Sequence, residues 1–595
     1  MQYSANCQYF TKNQNADLNT TTSSRARRKS ILTASDRVNS FLNKIPFPPS
    51  FGSFNGVKII LFIIFLHRIH FYSVFAFISN LSSIRSSDHD SDDADENSAQ
   101  SAHAFIAFAF MLGPLPGILA DKYFGRPKML SFCLLLCFLG SCAQSIFHSL
   151  FEFQKNIPGL IITKELYYSV HITVVIVLIL GSSGITALML PYGVDQMEDA
   201  GETRMSSYFY WLFWSINMGG LMSFGRYFVY SPKNSRFSLL SSSYLATISS
   251  FLAAIIFRLS QSFHLLHRGP NIGTPLKKIF YVTRTSLVIW YQRRSEQNYH
   301  ENLPILDYSK TQHYGGARFE MVEDVKAFYR IVFVLLSLFG YFSIYHLVSG
   351  FYTLQAQEVV REESPYLSSL VVGLIEGFVI TITIPIMRLA NRIPKPYTAK
   401  ILYRVEVGIC LAFLSVVCAS LVSVFTTIRG DVGTNISTIE PNCGDDNPNI
   451  QSSGQLYLFL LVLPQTVVMG ISEIFAIVAT YEFVYAQSPG DMKGFTFGIL
   501  NTVYGLGSYF STVVAAIIEA ASDCPGPSLN NSSLLIDKCS NCALPYAQCI
   551  KYDNLGIFFF VIFSILSLIY LIYFFVVVIK YKRRDRQEIE KWYCT

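Results

Sequence analysis

Charge is scarce in this chain. Asp, Glu, Lys and Arg make up 14% of its 595 residues, against about 25% in an ordinary soluble domain. Catalytic groupings are missing too. No nucleophile–base pair, metal-ligand set or phosphate loop stands out, and lone Ser, His and Asp carry no such meaning. An enzyme is therefore not the expected class, and no cofactor or metal is expected. The net charge is only +6, with basic residues in short clusters beside apolar runs, a pattern that does not fit nucleic-acid binding. No apolar leader is expected: residues 1–56 are polar, hold the basic cluster Arg25–Lys29, and precede the first apolar segment at Val57. The first span is expected to act as its own insertion signal.

Apolar residues, by contrast, are abundant and clustered. They make up 51% of the chain, with 49 Phe and 35 Tyr. Val57–Ile78, Phe105–Ala120, Met129–Phe147, Val174–Tyr192, Val332–Leu347 and Leu555–Ile579 are long and nearly uncharged. A run of about 18–20 such residues crosses a bilayer as a helix. The pattern predicts spans at 57–79, 102–121, 128–149, 169–191, 207–230, 238–259, 328–351, 366–388, 400–426, 456–486, 493–520 and 555–580. The fifth, sixth, eighth and tenth carry Ser, Asn or Glu, which inside a membrane turn toward a bundle interior or an aqueous path.

Lys and Arg in short connections set the orientation. Arg25–Lys29, Lys122, Arg126, Lys128, Arg388, Arg392, Lys395, Lys400 and the run 580–586 fall on one side; the opposite side is acidic or neutral, as in Ser82–Gln100. Both termini and the basic segment 260–327 are thus expected in the cytoplasm. The expected layout is a tail at 1–56, six helices at 57–259, a linker at 260–327, six helices at 328–580 and a tail at 581–595. Cys443, Cys524, Cys539, Cys542 and Cys549 fall in the outer loops, where disulfides persist. The sequons at Asn435, Asn530 and Asn531 lie there too and are glycosylation candidates. Cys539-x-x-Cys542 alone is a weak metal signal, and Cys133, Cys137, Cys142, Cys410 and Cys418 read as small packing residues within spans.

The connection after the second span is the most informative. Gly117-x-x-x-Asp121-x-x-x-Gly125-Arg126-x-Lys128 puts an acid at a helix end, then a tight glycine turn, then two cations opening the next helix. Such an acid can latch one conformation against a neighbouring helix N-terminus or an Arg. The pattern resembles the loop between helices two and three of the major facilitator superfamily. Phe209-Tyr-Trp-Leu-Phe213-x-x-Ile216-Asn217-x-Gly219-Gly220-Leu221 resembles the fifth-helix signature of the proton-dependent oligopeptide transporters. Gly181–Thr186 with Gly193-x-Asp195-Gln196, Arg68-x-x-Phe71-Tyr72, Gly470-x-x-Glu473, and Glu482-Phe483…Pro489-x-x-Met492-Lys493 match further elements of that family. The wording is similar to its peptide/histidine branch. The resemblance runs from about residue 57 to 585. It implies an all-α membrane protein of about twelve transmembrane helices in two six-helix bundles, the major facilitator fold. It also implies alternating-access transport of small peptides or histidine, coupled to protons, at the plasma or an endolysosomal membrane.

A zwitterionic peptide entering a low-dielectric site needs both termini matched. Arg68 for the carboxylate and Glu473 for the ammonium are the natural pair, one in each half, and the resemblance implies the same roles. Tyr72 and Asn217 match positions that hydrogen-bond the peptide. Asp121 and Arg126 are the expected latch. His103, eighteen residues before Asp121, matches a second-helix histidine of the animal transporters. Imidazole titrates near neutrality and can carry a proton. His346 and Glu376 are further titratable groups within spans.

The departures are specific. The family's first-helix Glu-x-x-Glu-Arg falls on Ile64, His67 and Arg68, and its fourth-helix Lys falls on Thr186. Both sides of one salt bridge are gone together, leaving no orphan charge from that pair. Proton coupling is therefore expected to run through His103, His67 or Glu473. A competing reading is a transport-silent adaptor or receptor that presents segment 260–327 to a cytoplasmic protein partner.

Overall fold

The computed structural model describes residues 55–80, 92–154, 162–197, 202–229, 235–266, 273–294, 303–313, 315–346, 352, 365–389, 401–436, 448–521, 565 and 567–579. Among these the chain is helical almost throughout, and its only β contact is one isolated bridge, Lys310 with Ala317. The first half holds α1 (Asn55–Asn80), α2 (Asp92–Met111), α3 (Pro114–Leu119), α4 (Arg126–Phe153), α5 (Lys164–Asp195), α6 (Glu202–Val229) and α7 (Ser235–Ser262). A linker helix, α8 (Pro275–Arg294), follows. The second half holds α9 (Phe319–Ser337), α10 (Pro365–Leu389), α11 (Ile401–Ile436), α12 (Pro448–Gln487) and α13 (Lys493–Ala521). The apolar helix Ser567–Ile579, here α14, closes the series. Eight helices among the described residues are long and apolar enough to cross a membrane. Each of the twelve expected spans contains helix.

Local chemistry sets the ends. Thr163 caps α5, its hydroxyl accepting from the Leu166 amide at 3.3 Å, which satisfies one of the free donors of a first turn. α2 begins at Asp92, inside the stretch expected to be an acidic loop. Acids favour a helix N-terminus, where the backbone dipole is positive. The second span, expected as one helix, breaks at Leu112–Gly113. Pro114 and Pro116 lack amide protons and cannot sit in an unbroken ladder. A short π-turn, Ala120–Phe124, follows α3, with the Gly125 amide donating to the Ala120 carbonyl at 2.9 Å. Gly125 has φ 75°, a conformation open to glycine without the Cβ penalty. Two later helices outrun their expected limits: α11 reaches Ile436, which places Asn435 in its last turn, and α12 starts at Pro448. Asn530, Asn531, Cys443, Cys524, Cys539, Cys542 and Cys549 lie outside the described residues.

α1 is central to the first half and packs on α6, α7 and α2; α11 lies along α12. The halves meet along two seams. α13 packs on α2 and α3, where the Gly498 backbone comes so near that a Cβ there would stand 2.6 Å from the Pro114 Cα. α10 and α12 pack on α6, and the Trp214 indole donates to the Thr381 carbonyl at 3.0 Å. Small residues at such crossings let helices approach without a hydrophobic drive, as they do in lipid.

Candidate functional site

The glycine pair of the fifth span explains how Arg68 is placed. A Cβ on Gly219 would lie 2.7 Å from both the Arg68 Cβ and the Phe65 carbonyl oxygen. Only a residue with no side chain lets α6 close on α1 here. Gly220 faces the Tyr72 ring, and Tyr72 also packs on Phe224, with centroids 5.4 Å apart.

Arg68 is buried, at 6% exposure, yet no carboxylate among the described residues pairs with it. Its guanidinium lies 5.4 Å from the Phe71 ring centre and 5.7 Å from that of Phe110, and its Nε has no hydrogen-bond partner. Aromatic faces compensate a cation only in part. Opposite, on α12, Glu473 is buried at 3% exposure. The hydroxyl of its neighbour Ser472 donates to the Gly408 carbonyl of α11 at 2.7 Å, fixing the register of that turn. Glu473 lies within electrostatic reach of Glu376 of α10 and near Tyr345, and its Oε1 has no hydrogen-bond partner. Tyr72, Tyr481 and Tyr504 each lie within electrostatic reach of both Arg68 and Glu473. The structure therefore brings Arg68 and Tyr72 of α1 and Glu473 of α12 together, with Tyr72, Tyr481 and Tyr504 near both the cation and the acid.

The other named residues stand around this centre. Asn217, half-buried, donates its amide to the Phe213 carbonyl one turn back at 2.9 Å. His67 is buried against His70, centroids 5.8 Å apart, and its Nε2 has no partner. His103 is exposed, edge-on to Phe75 and within electrostatic reach of His346. Tyr504 links that region to the centre, its ring edge-on to His346 at 4.7 Å and tilted against Phe110 at 4.5 Å. Thr186, where the family has a cation, donates to the Ser183 carbonyl in its own helix.

At one end of the molecule, which we call the gate end, polar groups tie the two halves. Arg126 lies 2.5 Å from Asp195 and 3.5 Å from Asp121, and its third contact is the Gly490 carbonyl of the second half. Asp121 accepts from the Phe495 amide at the start of α13, at 2.9 Å, where a carboxylate meets free amide protons and the positive dipole end. A second tie pairs Arg404 of α11 with Glu482 of α12, and both reach α6: Arg404 donates to the Tyr210 hydroxyl and Ser206 donates to Glu482, each at 3.2 Å. The linker joins in. The Gly273 amide donates to the Asp121 carbonyl at 2.8 Å, and Lys278 pairs with Asp491. Asp195, Arg404 and Glu376 were not singled out as site residues. Asp195 stands in the Gly193-x-Asp195-Gln196 motif, and Glu376 is an acid within a span; those were the available signals. For Arg404 none stood out.

Lys310 and Lys326 both reach Asp307 at 2.5 Å in the linker. Burial alone would raise the Asp307 carboxyl, but the two ammonium groups outweigh it and hold the carboxyl below its usual range. Lys310 is likewise penalised by burial, yet its bonds to Asp307 and Glu323 leave it above its ordinary value.

Comparison with known proteins identifies this arrangement. The fold is that of a multi-pass membrane transporter. A POT family peptide transporter solved in an auto-inhibited form superposes with a TM-score of 0.58 at 15% identity, covering 89% of this chain and 98% of that one. XylE, a proton:xylose symporter of the major facilitator superfamily, superposes at 0.50 with 12% identity, over 88% of this chain and 96% of its own. The sequence profile of the POT family matches residues 132–531. The chain belongs to the POT family. Protein NRT1/PTR FAMILY 2.9 of Arabidopsis thaliana is 25% identical over 68% of this chain and 75% of its own length. Solute carrier family 15 member 3 of Mus musculus is 23% identical over 70% and 76%.

Proposed function

We propose that this protein transports di- and tripeptides, and histidine as a second substrate, by alternating access in symport with protons. The observation that carries the reading is the unpaired, buried Arg68 facing Glu473 and Glu376 across three tyrosines. A buried charge with no counter-ion is costly. A zwitterion relieves both ends at once: its carboxylate pairs with Arg68 and its ammonium with Glu473. Tyr72 would hydrogen-bond the peptide, and Asn217 would do so after leaving its own helix backbone. The peptide transporters among the family's solved structures support the substrate class.

In this reading the six-helix bundles 57–259 and 328–580 rock about the central site, joined by linker 260–327. Asp121 and Arg126 latch the gate end. That end, both termini and the linker face the cytoplasm, while Asn435, Asn530 and Asn531 face the opposite side and take glycans. The membrane is the plasma or an endolysosomal one. Protons travel by way of Glu473, His103 or His67. The purified protein in liposomes should take up labelled dipeptide and histidine, tested at two pH values, and Arg68→Ala and Glu473→Gln should each abolish uptake. If wild-type protein neither accumulates nor exchanges either substrate, the reading is wrong. Partner binding through 260–327 that survives both substitutions would then favour the adaptor.

A further inference from the structure

We propose that the linker helix α8 is an interfacial membrane anchor whose outward face holds acidic phospholipid headgroups of the surrounding bilayer.

The helix carries charge of one sign. Its 20 residues include five Lys and Arg and no Asp or Glu. One of these cations, Lys278, is taken by Asp491. Lys277 and Arg284 are exposed and stand seven residues apart, so they share a helix face. Neither pairs with a carboxylate among the described residues.

An apolar stripe runs beside these two cations. Leu276, Phe280, Leu287 and Tyr291 follow one another at spacings of four, seven and four, which keeps them on one side of the helix. They are 44%, 67%, 48% and 74% exposed. The opposite side of α8 is filled: Val282 is wholly buried and clusters with Val322 and Val325 of α9. The inner face thus has its partners, and the outer face presents large apolar side chains with cations next to them. Against water such a stripe is unfavourable. Against a bilayer surface it is favourable, because the rings enter the acyl boundary while the cations stay with the phosphates.

The contacts of α8 place this face beside the membrane. Just before the helix, the Gly273 amide donates to the Asp121 carbonyl at 2.8 Å, where the second expected span ends. Lys278 meets Asp491, and Ile279 packs on the cluster of Phe328, Met492 and Phe495, where the seventh and eleventh expected spans begin. One turn further, the Thr283 and Tyr329 hydroxyls share a hydrogen bond at 2.9 Å. The helix therefore lies against the ends of three spans, the level at which hydrocarbon gives way to headgroups. Aromatic residues and cations concentrate at that level. Arg294 over the Trp290 ring, 5.1 Å from its centre, repeats the combination at the far end of α8.

Charge selects the lipid. A zwitterionic headgroup balances its own phosphate, whereas an acidic one leaves net negative charge for Lys277 and Arg284. Each cation held at the surface raises the preference for an acidic leaflet about fivefold, and salt screens the attraction.

The test needs the full-length protein and no substrate, so it is independent of the peptide reading. Benzoylphenylalanine replaces Tyr291, or Phe280 in a second version, and the protein is placed in vesicles of phosphatidylcholine mixed with phosphatidylserine. Irradiation should join lipid to either position. Phosphatidylserine should be several-fold over-represented relative to its share of the mixture, and less so at high salt. Combining Lys277→Gln with Arg284→Gln should return the adducts to the composition of the mixture while total lipid adducts persist. Both side chains are exposed, so the melting temperature should not move. Adducts in the proportion of the mixture before these substitutions, or an enrichment that survives them, overturn the headgroup assignment. Absence of lipid adducts at both positions overturns the anchor. Calmodulin, added in solution as an acidic helix-binding protein, overturns it equally if it cross-links there in place of lipid.

Discussion

Arg68 owes its position to a missing atom on Gly219. Forcing a Cβ into that contact, 2.7 Å from two atoms of α1, should cost about 1–3 kcal/mol, the usual penalty of overpacking. Gly219→Ala is therefore expected to lower the melting temperature and to reduce uptake. Gly220→Ala is the control. Its new methyl meets the edge of the Tyr72 ring at 3.2 Å, a side chain that can shift, so its melting temperature should fall less. Equal losses for the two would show that the helix crossing does not position the arginine. At this scale short motifs singled out Arg68, Tyr72, Asn217, Glu473 and Asp121 as candidates, and the structure places Arg68 and Glu473 within reach of the same tyrosines. Glu376 was visible as an intramembrane acid but not as a neighbour of Glu473. That proximity joins two helices, α10 and α12, whose register depends on packing, to which the Ser472–Gly408 contact between α12 and α11 contributes. Arg404 was missed for the same reason.

Single elements show where apolar runs inform and where they mislead. Such runs report residues that avoid water, and each of the twelve expected spans contains helix among the described residues. They say little about continuity. Pro114 and Pro116 stood in the second span and marked the break, but a hydropathy reading passes over them because both are apolar. Helix α8 also escaped notice, although Pro275 at its start and Arg293–Arg294 at its end are proper end signals. Its surroundings make a pH prediction. Asp307 titrates lower in the folded linker than in the unfolded chain. Its contribution is thus complete above the unfolded value of about 3.9 and is lost as pH falls through the lower folded value. Lys310 is raised, so its contribution is complete below about 10.4 and is lost as pH rises through the higher folded value. Amide exchange in 273–313 should be flat between those limits once corrected for intrinsic rates. It should speed up beyond each, and Asp307→Asn should weaken both limbs without erasing either, because Glu323 shares Lys310 and Lys326. Exchange that changes steadily across neutrality would contradict this.

At the scale of the whole molecule, the gate end is held by buried charges. Arg126 and Asp195 are 3% and 6% exposed. Such a pair adds little net stability, but removing one partner strands the other at a cost of about 3–5 kcal/mol. That cost falls on the closed state, because opening returns Arg126 to water. Asp195→Asn leaves Arg126 with Asp121 as its remaining acid, at the longer distance of 3.5 Å. A differential of even 3 kcal/mol changes the closed-to-open ratio by more than about a hundredfold. The substitution should thus move most molecules to a state open at this end. Spin labels at Lys128 and Tyr403, both exposed and on opposite halves, should report longer separations in the variant. Arg404→Gln should act in the same direction more weakly, since Arg404 and Glu482 are 17% and 11% exposed and already partly hydrated. Because the two ties share no residue, their effects should add in the double variant. A double variant no more open than Asp195→Asn alone would mean that one tie bears the whole load and that the gate end opens at the Asp121 loop first.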